Sequence, residues 1–124
     1  MNNQKLNVVV LGASNKPDRV SNKAVRFLKR HGYTVIPIHP RLTAIEGFSV
    51  LSSLNEIQED IHTLTIYVSP NRIGPMIDSI IKLNPERVVM NPGTESHELI
   101  DRLKENNIPY LAHCTLKLLN SGQF

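Results

Sequence analysis

A glycine turn near the start of the chain has the residue types of a phosphate-binding loop. The apolar run VVVLGAS, residues 8–14, ends in Gly12, Ala13 and Ser14. Glycine lets a ligand approach the backbone closely, and the small residues after it do not block that approach. Side chains that can add hydroxyl bonds or positive charge follow: Ser14, Lys16, Arg19, Ser21 and Lys23. The free N–H groups of a helix starting near residues 21–23 would also favour an anion.

This turn does not match the standard nucleotide motifs. Gly12 is its only glycine, so the full G-x-G-x-x-G is missing, and no G-K-[ST] ends the loop as in a P-loop. The long segment between Ser14 and the helix could wrap a bulky pyrophosphate. The alternative is a plain strand-to-helix connection.

A second set of candidate residues ends the next apolar run, in PIHPR at residues 37–41. In a dinucleotide fold this position faces the adenosine ribose and carries an acid that binds its hydroxyls. Here the chain has His39 and Arg41 instead, which suit a phosphorylated ribose through a hydrogen bond and a bidentate ion pair. The pattern argues against NAD, but it fits both coenzyme A and NADP. The alternative is that Arg41 is a solvated loop charge and His39 a capping side chain.

Residues that could catalyse a reaction form no convincing constellation. Cys114 follows His113, and a neighbouring imidazolium can activate a thiol. Adjacent residues at a strand end point to opposite sides, however, so a buried structural cysteine is favoured. Glu95 and Glu98 fit the start of a helix better than an acid pair. No His or Cys pair has zinc-like spacing, so we expect no metal site. The residues favour binding without catalysis.

The elements that position these residues alternate between strands and helices. Apolar, β-branched runs predict five strands, at residues 6–11, 34–38, 64–68, 87–90 and 108–112. Between them, helical periodicity predicts a helix that ends at Gly32, one that begins near Pro70 or Asn71, and one over residues 95–105 capped by Thr94. This alternation predicts an α/β fold, a Rossmann-like, doubly wound, parallel five-stranded sheet in three α/β/α layers, with the strand order 3-2-1-4-5. Ligands bind such sheets where the strand order reverses, beyond the first strand.

Length and composition limit the classes of protein. The 124 residues suit one domain, and 40% hydrophobic with 20% charged residues is ordinary for a globular protein. The net charge of +3 comes without a basic run, so nucleic acid is not an expected partner. We expect no membrane segment or signal peptide, and one cysteine indicates the reducing cytoplasm. A protein partner or a homodimer stays open.

Longer motifs resemble a known family. The segments GASNKPDRVS and LKRHGYTVIPIHPR, with the later YVSPNR, VVMNPGTES and HC, resemble the small single-domain CoA-binding proteins of the bacterial YccU-like group. That group is similar to the CoA-binding domain of succinyl-CoA synthetase and of ADP-forming acyl-CoA synthetases. The resemblance spans almost the whole chain.

The resemblance implies a single CoA-binding domain over residues 1–124, with coenzyme A or an acyl-CoA as the ligand. It places the pyrophosphate at Gly12, Ala13, Ser14, Arg19 and Ser21, the adenosine near Pro40 and Arg41, and the rest of the cleft at Val68, Ser69, Arg72, Pro92 and Gly93. Two other functions stay open. One is an NADP-binding oxidoreductase component, and the other is a protein-interaction domain without a ligand.

Overall fold

The structure is a computed structural model that describes residues 6–124. Its strands, in chain order, are β1 (Asn7–Leu11), β2 (Thr34–Ile38), β3 (Ala44–Ile45), β4 (Phe48–Ser49), β5 (Thr63–Ile66), β6 (Arg87–Met90) and β7 (Tyr110–Ala112). Its α-helices are α1 (Val20–Arg30), α2 (Pro70–Ile73), α3 (Ile77–Leu83), α4 (His97–Glu105) and α5 (Thr115–Asn120). Single 3-10 turns lie at Leu54–Glu56 and Gly74–Met76. No helix in the described part is long and apolar enough to cross a membrane.

Five of the strands form one parallel sheet in the order β2-β1-β5-β6-β7, and β3 and β4 form a separate antiparallel hairpin. The predicted α/β fold with a doubly wound, five-stranded parallel sheet is therefore confirmed. The predicted strand order is wrong. Counting the five sheet strands alone, the order is 2-1-3-4-5, so the third strand pairs with β1 rather than with β2.

Pro37 explains why β2 lies at the edge of the sheet. Its carbonyl accepts a hydrogen bond from the Leu51 N–H at 3.1 Å, on the side away from β1. The Pro37 nitrogen faces the same side and has no hydrogen to donate, so a neighbouring strand there would lose a ladder bond. β5 therefore pairs with β1. The reversal of strand order still falls at β1, as predicted, because β1 lies between β2 and β5.

Both faces of the sheet are covered by helices. Val8 and Val10 pack toward α1 and α5, in a cluster with Val25, Leu28 and Leu119. Val9 and Leu11 pack on the opposite face, in a second cluster formed by α3, α4 and the 3-10 turn at Leu54–Glu56. Val8, Val9 and Val10 have no exposed surface. A continuous apolar run is what a strand buried on both faces requires.

Two helix boundaries differ from the prediction. The expected helix after Pro70 is split into α2, a 3-10 turn and α3, because Pro75 has no N–H to donate within a continuous helix. Thr94 does not cap α4. Its hydroxyl donates to the Asn91 carbonyl at 2.8 Å, while Ser96 accepts the Leu99 N–H at 3.2 Å and is the N-cap. The predicted end of α1 is confirmed, since Gly32 follows it with a φ of +85°.

Candidate functional site

A cavity of about 890 Å³ opens beyond the carboxyl ends of β1, β2 and β5. Its volume lies within the range usual for small-molecule sites. Three segments form its walls: the loop from β1 to α1, the turn after β2, and the connection from β5 into α2. The lining residues are Leu11, Gly12, Ala13, Ser14, Asn15, Lys16, Arg19, Val20, Ser21, Ile38, His39, Pro40, Arg41, Ser52, Tyr67, Val68, Arg72 and Met76.

Gly12 lets two of these walls meet. Its φ is +86°, and a Cβ placed there would lie 3.0 Å from Val68 Cγ2 and 3.1 Å from the carbonyl carbon of Tyr67. Only glycine combines this backbone angle with that approach. The next residue, Ala13, donates its N–H to the Ile38 carbonyl at 3.2 Å and so joins the loop to the end of β2.

The N-terminus of α1 faces this cavity without a side-chain cap. Arg19 is the N-cap residue, and its side chain makes no capping hydrogen bond. Ser14 is engaged within the loop, where its hydroxyl oxygen accepts the Lys16 N–H at 3.1 Å. The first-turn N–H groups and the positive end of the helix dipole are therefore suited to an anion.

The charges along the cavity are all positive. Four cationic side chains line it, and no Asp or Glu occurs among its described lining residues. Lys16 and Arg19 belong to the loop before α1, Arg41 follows β2, and Arg72 lies in α2. All four residues are solvent-exposed. A cleft lined by one sign of charge attracts ligands of the opposite sign, so this one favours a polyanion.

His39 organises the turn after β2. Its Nδ1 accepts the N–H groups of Arg41 at 3.0 Å and Leu42 at 3.1 Å. A nitrogen that accepts hydrogen bonds carries no proton, so in the neutral ring the hydrogen resides on Nε2. The capping role left open by the sequence is therefore present, and the ring retains one N–H donor at the cavity wall.

The third wall combines apolar and polar groups. Val68 and Met76 provide apolar surface beside Arg72. The Tyr67 hydroxyl is buried without a hydrogen bond of standard geometry. Burial raises the pKa of Tyr67 to about 12, although the nearby Thr115 and Thr65 hydroxyls oppose that shift. Tyr67 is thus a neutral phenol at physiological pH.

Ser52 also lines the cavity, beside Leu51, which bonds to the β2 turn. Its hydroxyl and its N–H donate to Glu56 Oε1 at 3.0 and 2.8 Å. These hydrogen bonds lower the pKa of Glu56. The same carboxylate takes part in a capping box with Ser53 at the turn Leu54–Glu56, which holds this wall in place.

The structure brings most of the predicted binding residues to one cavity. Those that line it are Gly12, Ala13, Ser14, Lys16, Arg19, Ser21, His39, Pro40, Arg41, Val68 and Arg72. Four candidates lie outside its lining: Lys23 lies in the first turn of α1, Ser69 precedes α2, and Pro92 and Gly93 follow β6. Gly93 donates its N–H to Glu95 Oε1 at 2.9 Å, within the turn before α4.

Seven lining residues were not predicted: Leu11, Asn15, Val20, Ile38, Ser52, Tyr67 and Met76. Met76 had a sequence signal, because it follows Arg72 by four positions, the spacing of one helix face. Tyr67 directly precedes Val68 at the end of a strand, which places it at the same sheet edge. Ser52 had no sequence signal, because the chain around it, between β4 and β5, follows no regular pattern.

The residues considered for catalysis do not join this site. Cys114 is half-buried and occupies the N-cap position of α5, outside the cavity lining. The exposed His113 accepts the Cys114 N–H through Nδ1 at 2.8 Å. Across residues 6–124, no three His, Cys, Asp or Glu side chains cluster as metal ligands would.

Comparison with known proteins identifies a family for this chain. Residues 7–120 match the model of the CoA binding domain family. An uncharacterized protein of Bacillus subtilis (strain 168), YneT, is 22% identical over 114 residues, which are 92% of this chain and 84% of that protein. A solved structure described as an uncharacterized protein is 32% identical, with a TM-score of 0.91 over 97% of this chain and 98% of that one.

A larger enzyme contains a domain of the same fold. The dinucleotide-forming acetyl-coenzyme A synthetase 1 of Ca. Korarchaeum cryptofilum is 20% identical, with a TM-score of 0.76. The match covers 90% of this chain but only 26% of the synthetase. The family model spans all five strands of the sheet and the residues that line the cavity. This chain therefore belongs to the CoA binding domain family.

Proposed function

We propose that the chain binds coenzyme A or an acyl-CoA in the cavity beyond β1, without catalysing a reaction of its own. One observation carries this proposal: four cationic side chains and an uncapped helix N-terminus line a cavity whose described lining contains no carboxylate. Coenzyme A has a diphosphate and a phosphate monoester, the latter contributing about −1.5 to −2 charges at pH 7. Its charge complements this lining.

The two ends of the cavity suit the two phosphate groups. The diphosphate fits the loop at residues 12–19, where Gly12 allows close approach and the first turn of α1 supplies N–H donors. The 3′-phosphate fits the turn after β2, where Arg41 offers a guanidinium and His39 an Nε2–H donor. Val68 and Met76 provide an apolar wall for the pantetheine arm.

Membership of the CoA binding domain family supports coenzyme A over NADP, which also carries a ribose phosphate. The similar domain in an acetyl-coenzyme A synthetase supports the same ligand class. A non-catalytic role is supported by the position of Cys114 outside the cavity lining and by the engagement of His39 Nδ1 in a backbone turn. The one cysteine in the chain fits a cytoplasmic protein.

Thermal unfolding with four ligands tests this proposal. Coenzyme A, dephospho-CoA, NADP and NAD are added separately to the purified protein. Coenzyme A at about 100 times its Kd should stabilise the fold by about 2.7 kcal/mol, on the order of a 10 °C rise in Tm. Dephospho-CoA should give a smaller shift. A shift with NADP alone would support an oxidoreductase component instead, and no shift with any ligand would support an interaction domain.

A further inference from the structure

A buried asparagine joins the loop before α1 to the β3–β4 hairpin. Asn22 is fully buried, and its Nδ2 donates to the Ser14 carbonyl at 2.9 Å and to Glu46 Oε2 at 3.1 Å. Its Oδ1 accepts the Arg26 Nε–H at 2.8 Å. Since a guanidinium only donates and a carbonyl only accepts, these partners fix the orientation of the amide.

Arg26 extends the same connection one turn further along α1. It lies four positions after Asn22, on the same helix face, and its guanidinium donates to the Pro17 carbonyl at 2.8 Å. Two carbonyls of the cavity loop, at Ser14 and Pro17, are therefore held by side chains of α1 that do not line the cavity.

Glu46 occupies an unfavourable backbone conformation at the other end of this connection. It has a φ of +51° and is followed by Gly47 with a φ of +86°, at the tip of the two-residue hairpin turn. Asn, Asp and Gly are the residues that such turns prefer. A glutamate there is strained, and strain of this kind is retained where the side chain has another task. Here its carboxylate accepts from Asn22.

The hairpin is also fixed to α1 and to the second cavity wall. Lys29 donates to the Glu46 carbonyl at 3.0 Å, and Ile45 is buried beside Val25 and Leu28. The hairpin follows the His39–Arg41 turn after only two residues. Glu46 is thus linked through Asn22 to the loop suited to the diphosphate, and along the chain it closely follows the turn suited to the 3′-phosphate.

We infer that Asn22 and Glu46 are positioning residues, which hold the loop at residues 12–19 in its binding conformation and couple it to the β3–β4 hairpin. This inference rests on the proposed function for its ligand, but the coupling itself is a property of the free protein. Holding the loop before the ligand arrives reduces the ordering cost of binding. Neither residue lines the cavity.

Two variants of Glu46 test the coupling. Glu46→Asn suits the turn and preserves the hairpin, but its side chain is one methylene too short to reach Asn22. Glu46→Gln retains an oxygen that accepts from Asn22. The readouts are hydrogen exchange at the Lys16 and Arg19 amides, which bond to Ser14 Oγ and the Lys16 carbonyl, and the Kd for coenzyme A.

We expect Glu46→Asn to speed exchange at both amides and to weaken coenzyme A binding, each about tenfold. Its Tm should change little, because relief of the backbone strain offsets the lost hydrogen bond. Glu46→Gln should restore both exchange and affinity. Asn91→Ala is the control for a loss of buried hydrogen bonds away from the cavity loop, because the Asn91 side chain makes three of them just after β6. This variant should lower Tm. Exchange at the Lys16 and Arg19 amides should become faster only to the extent that global unfolding becomes more frequent.

The outcomes separate the two proposals. Unchanged exchange in Glu46→Asn, or the same acceleration in Glu46→Gln, overturns the coupling whatever the ligand. If exchange responds as expected but the wild-type protein binds no coenzyme A, the coupling stands and the proposed function fails. If exchange responds but affinity does not, the loop is coupled to the hairpin without a positioning role in binding, which overturns the inference.

Discussion

The imidazole Nδ1 of His39 accepts the backbone N–H of Arg41 at 3.0 Å. The same atom accepts the N–H of Leu42 at 3.1 Å, so one ring nitrogen closes the turn that follows β2. Arg41 and His39 both line the cavity. The residue that shapes the turn therefore also determines where the neighbouring guanidinium is presented to a ligand.

Substitution of His39 should separate its turn-forming role from its donor role. His39→Ala removes both, and we expect coenzyme A affinity to fall by ten- to a hundredfold, on the order of 1.5–3 kcal/mol. His39→Asn retains an oxygen that can accept N–H groups two residues on, as in an Asx-turn. It should recover part of the loss. Titration calorimetry with coenzyme A measures the affinities of both variants. Equal affinities of His39→Ala and His39→Asn would show that the turn-forming role of His39 contributes nothing to binding.

Arg41 should discriminate between ligands that differ in one phosphate. Arg41→Gln removes a charge-assisted pair with the 3′-phosphate, so we expect coenzyme A affinity to fall about ten- to a hundredfold. Dephospho-CoA affinity should change by less than about threefold, since it lacks that phosphate. Arg30→Gln is the matched control: it removes an exposed charge from α1 outside the cavity lining. Equal losses for both ligands would contradict the assignment of Arg41.

The fold class could be predicted because local signals agreed with one another. The apolar run of β1 and the stop at Gly32 needed no information from distant residues. The strand order was not predicted correctly, because it depends on which side of β1 the chain returns to after β2. Pro37 was the available signal, since a proline within a strand indicates an edge.

The cavity was predicted less completely than the fold. Loop residues adjacent to a strand end, such as Gly12 and Arg41, follow from topology alone. Ser52 depends on an irregular segment whose course is set by tertiary contacts with Pro37 and His39. The bond from Asn22 to Glu46 joins residues 24 positions apart. Periodicity contains no information about such a pair.

Gly12 should tolerate alanine less well than Gly93, although both have a positive φ. At Gly93 a Cβ meets nothing within 4 Å, so Gly93→Ala costs only backbone strain, about 1–2 kcal/mol. At Gly12 the contacts at 3.0 and 3.1 Å add overpacking of about 1–3 kcal/mol. Urea denaturation of the two variants measures the difference. Equal free energies of unfolding would mean that the loop after β1 and the residues after β5 can move apart at no cost.

Tyr67 should make stability depend on alkaline pH. Burial raises the pKa of Tyr67 from 10.0 to about 12 in the folded chain. Between those values the unfolded chain loses the phenol proton and the folded chain keeps it. The contribution of Tyr67 to the free energy of unfolding is therefore fully present below pH 10. It is lost as pH rises toward 12, by at most about 1.4 kcal/mol per pH unit.

Tyr67→Phe removes this dependence. It also removes a buried hydroxyl without a hydrogen bond of standard geometry, so at pH 8 the variant should be as stable as the wild type or up to about 1 kcal/mol more stable. Urea denaturation at pH 8 and pH 11 compares the two proteins. We expect the wild type to lose about 1 kcal/mol more than the variant over that interval. Equal losses of unfolding free energy in the two proteins would mean that the Tyr67 phenol ionises as readily in the folded chain as in the unfolded one. Hydrogen bonds from Thr65 or Thr115 would then stabilise the phenolate.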